Sequence, residues 1–294
     1  MNVNYTAPHS PWDENEHPRE YIKLFRDCEF STLPDLPVNP RQIKTAPIGD
    51  CEAKRRSLLM GYFAAVSAMD AGIGRILEAL NKRKIAEKTL VVFTSDNGMN
   101  MGHHGIWGKG NGTYPQNLYE TSVRVPFVTY IKGQKPRVIN ECYSHVDIFP
   151  TFADMTGSEA GNSARREGRV LPLTDGAAAS GKSVFIVAEY GRVRMLRKNG
   201  YKLILDFICG DNMLFDLDND PDETENLYGL ARYSDIINDM RGELDSLFDR
   251  LGDVRYSGLN QLTYGTGQLS AVKPSESAEY LKRYDFYYDN TDKD

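Results

Sequence analysis

The chain has 294 residues, 40% of them hydrophobic, enough to bury a sizeable core in one large domain or two modest ones. Its formal net charge is −6 with both signs interspersed, and no basic run is longer than three residues, as at Lys82-Arg83-Lys84, which argues against nucleic acid as a partner. No apolar stretch approaches membrane-spanning length, and the start Met1-Asn2-Val3-Asn4-Tyr5 lacks the basic and apolar parts of a signal peptide. The expectation for the chain as written is therefore cytoplasmic, with no membrane partner.

In chain order, residues 2–7 read as a short strand ending at Pro8-His9-Ser10-Pro11-Trp12, and the proline-rich stretch 32–50 as an irregular surface loop. From Leu58, apolar residues recur at Tyr62, Val66, Met69, Ile73, Ile76 or Leu77, and Leu80, which predicts one stripe on a long helix. Thr89 to Thr94 is a continuous β-favouring run, as in a central strand covered on both faces, and helix followed by buried strand predicts a parallel α/β sheet. Val125 to Ile131 is a second apolar strand. Asp147 is placed to cap a short helix with Pro150 in its first turn and Gly157 just past its end.

Residues 158–182, rich in Gly, Ala, Ser and Arg, read as a loop and boundary, so the expected domains are 1–182 and 183–294. Beyond it, Val184 to Ala188, Val193 to Arg197, Lys202 to Phe207 and Met213 to Leu217 predict a small antiparallel sheet. Ile236, Met240, Leu244, Leu247 and Leu251 then mark one face of a helix, and the tail from Asp253 carries no clear period. Cys28, Cys51, Cys142 and Cys209 lie far apart without a CxxC, the pattern of reduced thiols rather than a disulfide framework or zinc site.

Chemistry concentrates after the first buried strand. Asp96 offers a carboxylate and Asn97 a side-chain carbonyl, hard oxygens of the kind Ca²⁺ or Mg²⁺ prefers, and Gly98 lets the chain turn away. Lys109, between Gly108 and Gly110, can present a point charge to an anionic oxygen. His103 and His104 can donate protons or hydrogen bonds, and His9 stands in a stiff frame between Pro8 and Pro11. Singly, each has an ordinary alternative: a loop-ending Asp-Asn-Gly turn, an exposed loop lysine, a solvent-facing histidine.

Their order is more telling. "TAPHSPW", "GYFAAVSAMDAGIGRILEAL", "TLVVFTSDNGMNMGHHGIWGKG", "YETSVRVPFV", "HVDIFPTFADMTG" and "KNGYKLIL…LFDLDNDPDETENL" together resemble the C-terminal half of the type I sulfatases, in the alkaline phosphatase superfamily, from about residue 3 to about residue 251. The resemblance implies an α/β fold with a mostly parallel sheet flanked by helices, incomplete at its N-terminus, plus a small C-terminal α+β subdomain with a short antiparallel sheet. It implies that Asp96 and Asn97 are two ligands of a calcium ion, that Lys109 holds a sulfate oxygen and steadies the leaving group, and that His9 contacts sulfate or leaving-group oxygen. It places His103 or His104 at the substrate pocket, and a sulfated small molecule or carbohydrate in it.

A formylglycine nucleophile made from a C/S-x-P-x-R motif is also implied, but the sequence contains no such motif after which the Pro-His segment follows. Cys51-Glu52-Ala53-Lys54-Arg55 imitates a variant of it, yet lies downstream of His9 and runs into the long helix. The expectation is a truncated sulfatase, inactive alone, whose partner is a missing N-terminal half or a second copy; the compartment of the parent, periplasmic or secreted, would be set by any leader in that half. Two alternatives remain: a phosphoesterase or phosphonate hydrolase of the same superfamily, and a non-catalytic remnant that binds a metal or a partner.

Overall fold

The computed structural model describes residues 1–44, 46–158, 167–173, 183–188, 192–252, 257 and 259. Contacts divide them into two units, one of Met1–Gly133 and one of the described residues from Gln134 on. Most of the tail from Asp253 and most of the 158–182 loop, both read from sequence, lie outside the described residues.

In the first unit a short helix α1 (Arg19–Ile22) packs on the long α2 (Glu52–Lys82). Leu59, Met60 and Ala64 of α2 form one core with Trp12, Ile22, Phe30, Met101 and Trp107. The periodic stripe sits beside this face: Leu58 and Tyr62 are partly buried against the core, and Leu77 is 37% exposed. The buried face joins Leu59 and Met60 to the small residues Gly61, Ala64 and Ala65, and a Cβ at Gly61 would stand 1.8 Å from the Trp12 carbonyl oxygen. Apolar periodicity undervalues such a face, where closeness of backbones rather than side-chain size makes the contact. By length and composition α2 is also long and apolar enough to cross a membrane, which corrects the sequence reading that no such stretch exists; here it supplies the core just described.

Next come β1 (Val91–Thr94), the two-residue strands β2 (Asn100–Met101) and β3 (Trp107–Gly108), a one-turn helix α3 (Glu120–Val123) and β4 (Phe127–Tyr130). β2 pairs with β3 as a small antiparallel hairpin. β1 pairs antiparallel with β4, Val91 opposite Tyr130 and Thr94 opposite Phe127. Every ladder among the described strands is antiparallel, so the expected parallel pairing is not among them. β1 is half-buried along its length rather than covered on both faces. An apolar run encodes a strand that favours burial; it does not encode the direction of its neighbour. Residues 2–7, read as a strand, form none, because a strand exists only through a ladder partner; Tyr5 instead lies against Gly72 of α2.

In the second unit a 3-10 turn at His145–Asp147 leads into α4 (Ile148–Thr156), which ends at Gly157 with φ +66°. Asp147 does not cap α4. It is the third residue of a capping box whose capping residue is Ser144, and its carboxylate also accepts the Arg169 amide at 2.8 Å. Then β5 (Val184–Ala188), β6 (Val193–Lys198), β7 (Tyr201–Asp206) and β8 (Met213–Asp216) form an antiparallel sheet in chain order. Ile237, Met240 and Leu244 of α5 (Ser234–Leu251) bury against Leu196, Leu203, Leu205 and Leu214. The Asp-Asn-Asp-Pro-Asp-Glu block proves structural: Asp220 accepts from the Thr224 and Glu225 amides. Glu223, at φ +54°, reaches Lys202 Nζ at 2.7 Å with both side chains within 1% of full burial.

Candidate active site

β1 delivers Ser95-Asp96-Asn97-Gly98 at its C-terminal end. Gly98 turns the chain under α3: its amide donates to the Ser122 carbonyl at 2.9 Å, and a Cβ there would meet the Thr121 carbonyl oxygen at 2.2 Å. The Ser95 hydroxyl donates to the Asn97 carbonyl at 2.8 Å, which closes the turn. Asp96 is exposed, with Oδ1 3.4 Å from the Ser95 hydroxyl. Asn97 spends its Nδ2 on the Gly98 carbonyl at 2.7 Å, so its side-chain oxygen is the atom left to accept or ligate.

The chain then enters the β2–β3 hairpin, whose connection needs left-handed backbone at Gly102 and Gly105. At Gly105 a Cβ would collide with the Pro37 carbonyl oxygen at 2.0 Å. His104 also has positive φ and stacks on Tyr119, ring centroids 3.7 Å apart and 10° from parallel. His103 turns its Nδ1 toward the Met101 amide, which donates to it at 3.3 Å. The two adjacent histidines therefore have different local roles, one stacked and one hydrogen-bonded to backbone. Lys109, partly exposed, follows β3 directly.

Sequence reasoning missed what holds this loop. The stretch 32–50 is not a free surface loop: Gln42 is buried and acts as an extra strand residue, its Nε2 donating to the Trp107 carbonyl at 2.9 Å and its Oε1 accepting from the Trp107 amide at 2.8 Å. Asn39 donates to the His104 carbonyl at 3.1 Å. Nothing local in a proline-rich tract marks a glutamine for such a role, because the partner is 65 residues away.

His9 is exposed, with its Nδ1 2.9 Å from the Ser10 carbonyl. It is anchored through Trp12, whose Nε1 donates to the Pro8 carbonyl at 2.8 Å and whose ring joins Met101 and Trp107 in the core. The Pro-His segment and the hairpin thus share one core, while no hydrogen bond or ion pair joins His9, Asp96 and Lys109 among the described residues. Cys51 stands at the N-terminal boundary of α2, exposed, with its carbonyl accepting the Arg55 amide at 2.8 Å, the ordinary start of a helix. All four cysteines are free.

Among the described residues no group of three or more His, Cys, Asp or Glu side chains could hold a metal ion. Asp96 and Asn97 present two hard oxygens, the right kind of donor for Ca²⁺ but well short of the roughly six to eight it takes.

Comparison with known proteins gives this geometry its context. The family model described as Sulfatase matches residues 3–158, and that described as N-sulphoglucosamine sulphohydrolase, C-terminal, matches 102–250. The uncharacterized sulfatase YidJ of Escherichia coli is 27% identical over 276 residues, covering 86% of this chain and 51% of that protein. The structure of BT4656 in complex with its substrate D-glucosamine-2-N,6-O-disulfate superposes with a TM-score of 0.58 at 25% identity, over 70% of this chain and 43% of that one. A phosphonate monoester hydrolase of Silicibacter pomeroyi shares the fold, with a TM-score of 0.59 at 22% identity over 76% and 46%. The chain spans about half the length of the curated relatives it matches. These neighbours have the alkaline phosphatase-like α/β fold, and since the Sulfatase match alone takes in more than half of the residues, with Asp96, Asn97 and Lys109 inside it, the chain belongs to the sulfatase family.

Proposed function

We propose that this chain forms one wall of the active site of a sulfuric ester hydrolase. The observation that carries the reading is the juxtaposition along one short connection of a strand end bearing Asp96 and Asn97 and a pinned loop bearing Lys109. Lys109 binds a sulfate oxygen and offsets charge on the leaving group; His9 donates to sulfate or leaving-group oxygen. His103, held by the Met101 amide, or His104, stacked on Tyr119, faces the substrate. Asp96 and Asn97 are the residues that would hold calcium, which when bound supplies positive charge against the sulfuryl oxygens. The remaining metal oxygens and a formylglycine nucleophile would be supplied from outside these 294 residues. A sulfated carbohydrate is the substrate class, in line with the disulfated glucosamine bound by BT4656.

The test is hydrolysis of an aryl sulfate by this chain alone and after supplying a preceding sulfatase half that carries C/S-x-P-x-R. Turnover only in the second case, abolished by Lys109→Met, is the expected result; robust turnover by the isolated chain overturns the split-site reading. The fold shared with a phosphonate monoester hydrolase supports a second reading, hydrolysis of phosphonate or phosphate esters. Preference of the completed enzyme for an aryl phosphonate over the aryl sulfate would favour it.

A further inference from the structure

Three consecutive peptide carbonyls at Lys109 are taken by two buried asparagine side chains. Asn100, 0% exposed, donates from Nδ2 to the Gly108 carbonyl at 3.0 Å. Asn117, 6% exposed, shares the two hydrogens of its Nδ2 among the Lys109 carbonyl at 3.3 Å, the Gly110 carbonyl at 3.1 Å and the Thr113 hydroxyl at 3.3 Å. Ser122 joins the two: its hydroxyl accepts from Asn100 Nδ2 at 2.6 Å and donates to Asn117 Oδ1 at 2.5 Å. The Thr121 hydroxyl donates to Asn100 Oδ1, and backbone bonds from the Gly112 amide to the Lys109 carbonyl at 2.8 Å and from the Asn117 amide to the Gly110 carbonyl at 3.0 Å complete the frame.

This frame answers a local problem. Gly108, at φ +118°, and Gly110 give the backbone on either side of Lys109 little conformational preference of its own, so its direction has to be imposed from outside. A fully satisfied buried network does this well, because any displacement leaves a desolvated amide or hydroxyl without a partner. Asn117 stands outside the quoted motifs, and Asn100 inside one of them without having been singled out.

We infer that Asn100 and Asn117, bridged by Ser122, are positioning residues that fix the peptide planes of Gly108-Lys109-Gly110 and so aim the Lys109 ammonium at a bound sulfate group. The inference rests on the reading of Lys109 as the anion-binding lysine. The experiment uses the full chain with inorganic sulfate as probe, ¹³C labelling at lysine Cε and assignment of the Lys109 signal by its loss in Lys109→Met. The wild-type chain shows a saturable sulfate-dependent shift of that signal. Asn117→Ala and Ser122→Ala weaken the apparent affinity on the order of tenfold, and Ser122→Thr, which keeps the hydroxyl, retains it. Tryptophan fluorescence and the amide fingerprint report whether each variant is folded; should Asn117→Ala not fold, the smaller deletion Ser122→Ala carries the test. Folded variants that bind sulfate like the wild type overturn the positioning role while leaving Lys109 as the anion site. A wild-type Lys109 signal indifferent to sulfate overturns both.

Discussion

At the scale of the residue, two positions show how little room the fold leaves. Gly98 lies where any Cβ would stand 2.2 Å from a backbone oxygen, with further Thr121 and Ser122 backbone atoms at 2.9 and 3.0 Å. Backbone cannot swing aside as a side chain can, so Gly98→Ala should destabilise the first unit by roughly 1–3 kcal/mol. Trp12 and Trp107, the chain's two tryptophans, both sit in that unit's core, so denaturant unfolding followed by tryptophan fluorescence reads the loss directly. In the second unit, Lys202→Met removes the ammonium buried against the Glu223 carboxylate and should cost about 3–5 kcal/mol. The double change Lys202→Met, Glu223→Leu should recover much of that, because it also removes the buried carboxylate that loses this ammonium; far-UV circular dichroism in urea measures both, and equal losses in single and double variants would speak against it. The Glu223 side chain also shows where residue-level reading stops. The sequence marked its block as distinctive, but only the structure shows a salt bridge rather than a site.

At the scale of the element, α2 links sequence to stability through Tyr62. Burial holds the Tyr62 phenol above its ordinary range. A group whose folded pKa is raised contributes stability that is fully present below its unfolded value, about 10 for tyrosine, and lost as pH rises through the folded value. The first unit should therefore lose stability above about pH 10, and Tyr62→Phe should flatten that alkaline decline; tryptophan-detected unfolding midpoints between neutral and alkaline pH measure it. An unchanged slope in Tyr62→Phe would assign the decline to other groups. The helix itself was legible from its apolar period, as were α5 and the four strands of the second sheet to within a residue or so, because their patterns are local and regular. The strand at 2–7 was not, since it has no ladder partner here, and neither was the role of Gln42, whose hydrogen bonds close on a residue 65 positions away.

At the scale of the whole molecule, β4 leaves Phe127 36%, Val128 58% and Tyr130 50% exposed on a two-stranded ladder. Apolar strand faces of this kind favour association, and a lone pair of strands is marginal by itself. Sedimentation of the purified chain should show concentration-dependent association, reduced by Val128→Lys, whose charge opposes burial; a compact monomer at every concentration would contradict it. The candidate site was legible as a set of residue types in order: hard oxygens at a strand end, a lysine between glycines, a histidine between prolines. Sequence by itself determined those residue types in their order and the family, because motif order survives where overall identity is low. Only tertiary structure decided how they are held: His104 goes to Tyr119, His103 accepts from the Met101 amide, and two asparagines with a serine fix the peptide planes around Lys109. The physical reason is that buried hydrogen bonds pair groups distant in the chain, and no local pattern of hydrophobicity or charge records which amide will meet which carbonyl.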